Sequence, residues 1–493
     1  MKKTFIFIRV IAFVCLLSLL SAFMVACKSD KTDETDDVDI ANTNASNNED
    51  DEEEYIYEQD VPKKDYNGAK IRILCSTQMQ QFMVNDVAPV QVVRQAVRTR
   101  NILTEDLYNV KLEYVPIDGN GGNSDQFAAE IRNSVLSDTQ NYDLVIPQSY
   151  YGTALATEGL YYNFADSAYI KWDKPWYYQK INEQCEIYGQ TYFLASAYLM
   201  DKLILSDVVF YNAEMGKNHG ISENELYSKV LEGKWTIDTM LEYMKCVDGD
   251  EYFGCVTFQH GIRALMIGSD TPFVTKDNTG ELKMSYYSPH LIDVFQKVYD
   301  FAHGNEQRVK FSSEDEGILR EFENGNSLFS ITHMMSVPEA VTYGESDVDY
   351  IILPMPKFSE EQVNYITDVQ RWELVSIPTN ADVERACLVL DALSYYTYDE
   401  LVPVMFEDLL GARWARDPNA AEIIEIIRQS IHYDFTSIFQ SQMSKIYTGE
   451  NSLVYLINNK DSGISEWWGS KGSMFGDYLD ALILDYYELS LQQ

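Results

Sequence analysis

Histidines, cysteines and carboxylates are the side chains most suited to catalysis or metal binding, and their spacing in this sequence matches no catalytic motif. The chain holds 77 acidic residues, so carboxylate pairs at the separation that a glycosidase requires can always be found and decide nothing. No G-x-S-x-G elbow, H-E-x-x-H helix or glycine-rich phosphate loop occurs. We expect a protein without catalytic residues or cofactors, with a secreted glycosidase as the less favoured alternative.

Metal ligands are equally dispersed along the chain. The six histidines form no close cluster in the sequence, and no C-x-x-C motif is present. Cys246 and Cys255 flank the segment CVDGDEYFGC and either pair with each other or remain free thiols. We expect no metal site, structural zinc included.

Aromatic residues indicate another kind of chemistry, namely reversible binding. The chain has 35 Tyr and 7 Trp, whose flat apolar faces and polar edges suit the C–H groups and hydroxyls of sugars. The alternative is that tyrosine is simply abundant in the proteins of the source organism. A net charge of −39 excludes a nucleic-acid partner, because phosphate binding requires basic patches.

Alternating strand and helix patterns would position such binding residues. Residues 69–75 and 110–117 read as strands, with helical periodicity between them, and a buried strand follows at 142–147. This βαβ spacing predicts a parallel sheet flanked by helices. Ligands of such sheets bind at the loops after the strands, which here are residues 76–81 and 148–152.

The amino-terminal region predicts an export signal followed by a tether. Val10–Ala26 contains only apolar residues and serine after a basic start, which is typical of a secretory signal, although a retained membrane anchor is the alternative. The segment FMVAC resembles a bacterial lipobox, with Met24 in place of the usual leucine, and implies a lipid anchor, including palmitate, on Cys27. Residues 28–60 hold 14 acidic residues and two lysines, which predicts a disordered tether; an acidic interaction tail is the alternative.

Several motifs in the remaining chain resemble the maltose-binding-like (family 1) extracellular solute-binding proteins of ABC transporters. The resemblance rests on their order and spacing, and spans nearly all of residues 66–493. The segments that carry it are YDLVI (142–146), VFYN (209–212) with WTID (235–238), FENG (322–325) with LFS (328–330), and ILPMPK (352–357). The usual proline before the WT pair is missing near Ile221.

This resemblance implies an α/β, two-lobed fold of the type II periplasmic-binding-protein class, with mixed sheets flanked by helices and hinge segments crossing between the lobes. We expect a signal peptide at residues 1–26, a lipidated cysteine and tether at 27–65, and the binding domain at 66–493. Lobe 1 would combine about 66–188 with 311–368. Lobe 2 would combine about 189–310 with 369–493. Closure about the hinges would bury the ligand.

The resemblance also implies which residues contact the ligand. They follow the strands or lie at a crossing, and some have plain structural alternatives: the tyrosines, histidines and methionines can pack in the core, and the tryptophan at the third crossing can pack in the hinge. Two arginines among them would suit an acidic ligand such as a uronic-acid-containing oligosaccharide. The candidates are Thr77, Gln78, Gln148, Tyr150, Tyr151, Gln259, His260, His333, Met335, Arg371, Trp372, Arg413 and Trp414.

The expected function is that of a lipid-anchored protein on the outer face of the cell membrane. It would capture a carbohydrate, an oligosaccharide by preference, and deliver it to the permease subunits of an ABC importer. We expect a monomer. A surface glycan-binding protein or the partner of a sensor, without a role in transport, is the alternative.

Overall fold

The computed structural model describes most of the chain from Tyr55 onward. Cys27, the tether up to Glu54, and four of the candidate ligand contacts (Arg371, Trp372, Arg413 and Trp414) lie outside the described residues. Among the residues it describes, no helix is both long and apolar enough to cross a membrane. The described ranges are 55–56, 60–88, 91–119, 123–277, 279–304, 308–338, 346–369, 373–405, 418–443, 446 and 449–491.

Twelve strands are present in the described residues, and most of them belong to two sheets. In chain order they are β1 Tyr55–Ile56, β2 Val61–Pro62, β3 Ala69–Ser76, β4 Val110–Ile117, β5 Leu144–Val145, β6 Asp207–Asn212, β7 Phe253–Phe258, β8 Val274–Lys276, β9 Leu282–Met284, β10 Val309–Ser312, β11 Ser327–His333 and β12 Tyr350–Leu353.

The first sheet confirms the predicted βαβ pattern and defines lobe 1. Its order is β4-β3-β5 and all of its pairs are parallel. β3 is central, and its apolar residues Ile71, Ile73 and Leu74 are fully buried. The helix Gln91–Tyr108 connects β3 to β4 as the sequence periodicity predicts, and Ser124–Leu136 connects β4 to β5.

The second sheet defines lobe 2 and is mixed. Its order is β10-β7-β11-β6-β12. β7 runs parallel to β10 and β11, whereas β6 runs antiparallel to β11 and β12. All six residues of β6 are buried, because the strand lies inside the sheet and helices cover both faces.

Helices surround both sheets, and their starts follow the capping signals in the sequence. Thr236 accepts a hydrogen bond from the backbone of Thr239, and Ser288 accepts one from Leu291, each at 3.1 Å. The helices of six or more residues are Gln91–Tyr108, Ser124–Leu136, Gln179–Cys185, Ala213–Asn218, Glu223–Leu231, Ile237–Met244, Gln259–Gly268, Pro289–His303, Val383–Tyr396, Pro418–Ser430, Leu453–Asn458 and Ile464–Ser490.

Two antiparallel segments cross between the lobes side by side. One enters lobe 2 before β6, and the other returns from lobe 2 after β12. Ser206 bridges to Val369, and the amide of Asp207 donates to the carbonyl of Asp368 at 2.9 Å. Beyond the crossing, Val375 pairs with Leu194 inside lobe 1.

This strand pairing corrects the expected lobe boundaries. Residues 311–368 were assigned to lobe 1, but β11 and β12 are hydrogen bonded to β6 and therefore belong to lobe 2. Residues 373–377 pair with lobe 1 instead. The expected first boundary at 188/189 is a tight turn, where Tyr188 and Gly189 have φ of 51° and 74°. The chain leaves lobe 1 only near residue 200.

The long carboxyl-terminal helix Ile464–Ser490 packs on both lobes. Tyr486 contacts Tyr192 of lobe 1, with ring centroids 5.7 Å apart. Phe475 contacts Phe273, which follows the lobe 2 helix Gln259–Gly268, at 5.6 Å. The five cysteines of the described region, Cys246 and Cys255 included, are free thiols.

Candidate functional site

The carboxyl ends of the parallel strands in both sheets border the crossing segments. In lobe 1, β5 is followed by Gln148, which bridges to Glu373 of the returning segment. In lobe 2, β11 ends at His333, which pairs with Asp207 at the entry of β6. Open α/β sheets bind ligands beyond these strand ends. The space between the two lobes at the crossing is therefore the candidate ligand cleft.

On the lobe 1 side, Thr77 and Gln78 follow β3, and Gln148 follows β5, as predicted. Thr77 is exposed, whereas Gln78 and Gln148 are half-buried. The amide of Gln148 donates to Oε1 of Glu373 at 3.1 Å, and Glu373 is fully buried. This contact ties the loop after β5 to the segment that crosses between the lobes.

Tyr150 and Tyr151 pack against each other and against lobe 1. Their ring centroids lie 4.9 Å apart, with the rings nearly perpendicular. Tyr151 also contacts Phe127 at 5.7 Å, and burial raises the pKa of its phenol. The hydroxyl of Tyr150 donates to the carbonyl of Gly119 at 3.3 Å. For Tyr151 this geometry favours support of the loop over ligand contact.

On the lobe 2 side, the candidates differ in exposure. Gln259 is exposed at the start of the helix after β7, and His260 next to it is half-buried. Met335 is only 6% exposed, and its amide donates to the carbonyl of Ile204 at 3.2 Å. Met335 therefore packs in the core beside the first crossing segment, as the alternative to ligand contact predicted.

His260 and His333 lie together at this edge. Their ring centroids are 4.8 Å apart and the rings are nearly perpendicular. Nε2 of His260 lies 3.4 Å from Oε1 of Glu316. His260, His333 and Glu316 each bring one potential metal-ligating atom within 4.8 Å of the others. The histidines are dispersed in the sequence, but these two lie together in three dimensions because β7 and β11 are neighbours in the sheet.

A buried charged network that the sequence analysis missed lies beneath the two histidines. Nδ1 of His333 lies 3.2 Å from Oδ1 of Asp207, and Nε of Arg263 donates to Oδ2 of Asp368 at 2.7 Å. Asp207 and Asp368 are fully buried, and Arg263 is 4% exposed. The available signal was an aspartate at the start of an otherwise apolar strand, in the segment LSDVVFY.

Burial and neighbouring charges set the protonation of this network. Burial lowers the pKa of His260 to about 4, although the charge of Asp207 opposes the shift. Burial raises the pKa of Asp368 to about 6 against the effect of Arg263. Burial alone would also raise the pKa of Asp207, but the hydrogen bond and charge of His333, together with His260 and Arg263, hold it below its usual value.

A separate, carboxylate-rich cavity lies at the opposite end of the lobe 2 strands, beside the amino ends of β7, β11 and β12. It encloses about 1370 Å³, including its open mouth. None of the predicted ligand contacts that the structure describes lines it. Its carboxylates are Glu214, Asp248, Glu323, Asp347 and Asp349.

Comparison with known proteins identifies the fold. No protein-family model and no curated protein sequence matches the chain. Among solved structures, it is similar to the GacH receptor of Streptomyces glaucescens GLA.O, which was solved without ligand and in complex with acarbose and an acarbose homologue. The TM-score is 0.52 and the identity 9%, over 84% of this chain and 99% of that one.

Two further structures are similar over the same share of this chain. One is UgpB from Mycobacterium tuberculosis in complex with glycerophosphocholine, with a TM-score of 0.52 and 12% identity over 100% of that chain. The other is an ABC transporter solute-binding protein from Thermotoga lettingae TMO bound with α-D-tagatose, with a TM-score of 0.52 and 12% identity over 100% of that chain. The chain therefore has the two-lobed α/β fold of the solute-binding proteins, as predicted.

Proposed function

We propose that this chain is the substrate-binding component of an ABC importer and that it captures a carbohydrate between its two lobes. The observation that carries the proposal is the position of the strand ends. β5 of lobe 1 is followed by Gln148, which bridges to Glu373 of the returning segment, and β11 of lobe 2 ends at His333, which pairs with Asp207 of the entering segment. Polar side chains from both lobes therefore border one cleft.

The shared fold supports a binding role over a catalytic one. Two of the three similar structures described above are a receptor that binds acarbose and a solute-binding protein that holds tagatose, so both have a sugar or a sugar analogue as ligand. UgpB holds a glycerophosphodiester, so a polar, hydroxyl-rich ligand is the chemistry that they share. We choose carbohydrate because the sequence is rich in Tyr and Trp, which pack well against sugar rings.

A ligand screen on the full chain, extracted in detergent, tests the proposal. Thermal unfolding is followed with oligosaccharides, monosaccharides, glycerophosphodiesters, amino acids and peptides. A ligand present at 100 times its dissociation constant stabilises the folded state by about 2.7 kcal/mol. Stabilisation by a sugar supports the proposal; stabilisation only by amino acids or peptides contradicts the ligand class. Turnover of a bound sugar contradicts a pure binding function.

Lipid attachment at Cys27 and delivery to a permease complete the proposal. A lipid anchor would hold the binding domain at the outer face of the membrane by way of the acidic tether. Cys27→Ser is expected to release the protein into the medium and to abolish labelling by a fatty-acid analogue. If the Cys27→Ser protein stays in the membrane fraction, the amino-terminal segment is a retained membrane anchor instead.

A further inference from the structure

Three parallel strands of lobe 2 end side by side, and each supplies one metal-binding side chain. β10, β7 and β11 are neighbours in that order. Glu316 begins the helical turn after β10, His260 is the second residue of the helix after β7, and His333 is the last residue of β11. The carboxyl ends of these strands therefore bring two imidazoles and a carboxylate to one point at the cleft edge.

The distances are close to those of a metal site. Nε2 of His260 and Oε1 of Glu316 are 3.4 Å apart, and tetrahedral zinc with bonds of about 2.0–2.1 Å places its ligand atoms about 3.3–3.4 Å apart. The three ligand atoms all lie within 4.8 Å of one another. The side chain of Glu316 is 58% exposed, so it can rotate to bring its carboxylate closer to both imidazoles when a metal binds.

Asp207 orients the second histidine as carboxylates do behind metal-bound imidazoles. Its Oδ1 lies 3.2 Å from Nδ1 of His333, so a buried carboxylate contacts this imidazole, as carboxylates contact metal-bound histidines. Nε2 of His260 is buried and makes no hydrogen bond within the described part of the chain. Both imidazoles thus present a nitrogen to the same space.

We infer that His260, His333 and Glu316 bind a divalent transition-metal ion of the zinc type, held by two nitrogens and one oxygen. Three protein ligands leave a fourth coordination position open, as in zinc sites that accept water or a substrate oxygen. Because the site lies at the cleft edge, that position is available to an oxygen of the captured ligand. The inference does not depend on the carbohydrate proposal, since metal binding is measured without sugar.

A zinc titration of the full chain tests the inference. The protein, extracted in detergent and stripped of metal with a chelator, is titrated calorimetrically with ZnCl₂. We expect one tight site, weakened at least 100-fold in His260→Ala/His333→Ala and at least 10-fold in Glu316→Gln. His219→Ala is the matched control, because His219 is exposed at the end of Ala213–Asn218 and outside the cluster; it should bind as the parent does.

A second measurement separates this site from weak binding to the acidic tether. Co²⁺ in a tetrahedral site of nitrogen and oxygen ligands gives strong visible absorption bands, whereas hydrated Co²⁺ is pale. The bands are expected in the parent and in His219→Ala and absent from the double variant, whose thermal unfolding without metal shows whether it is folded. No tight zinc site in the parent, or undiminished zinc binding by the folded double variant, overturns the inference.

Discussion

The guanidinium of Arg263 and the carboxylate of Asp368 form a buried ion pair at the point where the chain leaves lobe 2. Nε of Arg263 donates to Oδ2 of Asp368 at 2.7 Å, and a second nitrogen of the guanidinium donates to the carbonyl of Val369 at 3.1 Å. Arg263 belongs to the helix after β7, whereas Asp368 belongs to the crossing segment. The pair therefore fixes the start of the crossing to the body of lobe 2.

Replacing Arg263 with Met is expected to destabilise the protein strongly. The substitution leaves Asp368 buried without its guanidinium, and breaking a buried pair from one side costs about 3–5 kcal/mol. The loss should be smaller below pH 6, because burial raises the pKa of Asp368 to about 6 and the protonated acid carries no charge. Thermal unfolding at pH 5 and pH 8 measures both effects.

Asp368→Asn and the double variant complete a cycle for this pair. If the two groups stabilise each other, the double variant loses less stability than the sum of the single variants. Additive losses would show that the pair contributes no coupling energy to the crossing.

Exposed residues on the two sides of the cleft allow a clean test of ligand contact. Thr77 of lobe 1 and Gln259 of lobe 2 are exposed, so truncation should leave the melting temperature of the ligand-free protein unchanged. Each lost hydrogen bond to a ligand costs about 0.5–1.5 kcal/mol, or roughly 2- to 12-fold in affinity. Calorimetry with the sugar identified by the screen is the measurement.

Tyr151→Phe is the matched control for these two truncations. The ring of Tyr151 packs on Phe127, and the substitution removes only a hydroxyl, so affinity should not change. Unchanged affinity in both Thr77→Ala and Gln259→Ala would place the ligand elsewhere. The carboxylate-rich cavity at the opposite end of the lobe 2 strands would then be the next site to test.

Local patterns predicted the secondary structure of this chain well. The strands at 69–75 and 110–117 and the helix between them have nearly the predicted bounds, because alternation and helical periodicity are local properties. The strand at 142–147 shortens to Leu144–Val145. Before it, the amide of Arg72 donates to the Asp143 carboxylate at 2.9 Å and not to a backbone carbonyl, and after it Pro147 has no amide hydrogen to donate.

Long-range pairing could not be predicted from the same patterns. A buried apolar strand such as β11 fits either sheet equally well, so its assignment to lobe 1 was wrong. His260 and His333 are distant in sequence, and only the register that pairs Ile331 with Thr257 brings them together. Local sequence patterns contain no information about that register, and the buried Asp207 and Arg263 were missed for the same reason.

Asp391 is expected to make stability depend on pH. It is fully buried in the helix Val383–Tyr396, where it accepts a hydrogen bond from Nε1 of Trp176 at 2.9 Å and one from the hydroxyl of Tyr177. Burial raises its pKa to about 6 despite these donors. The folded state therefore binds a proton more tightly than the unfolded state, whose pKa is about 3.9.

The sign of the effect follows from that difference. Asp391 costs nothing below about pH 4, where both states are protonated, and stability falls by roughly 3 kcal/mol as the pH rises from 4 through 6. Asp391→Asn should remove this fall, because an amide oxygen can still accept both hydrogen bonds. Denaturant unfolding of parent and variant at pH 4 to 8 measures the difference; the exposed Asp106→Asn controls for loss of a charge. A constant difference between parent and Asp391→Asn across this range would contradict the assignment.

Two helical glycines should respond oppositely to alanine. A Cβ at Gly216 would lie 1.6 Å from the hydroxyl oxygen of Tyr211, and that hydroxyl donates to the carbonyl of Ile221 at 2.9 Å. Gly216→Ala must displace the buried ring and break this bond, at a cost of about 1–3 kcal/mol.

Gly469 is exposed within Ile464–Ser490, and a Cβ there meets nothing within 4 Å. Gly469→Ala should stabilise the helix by about 0.5–1 kcal/mol, because alanine loses less backbone entropy than glycine. Thermal unfolding of the two variants checks both signs, and a stabilised Gly216→Ala would show that Tyr211 does not occupy this position in the folded protein.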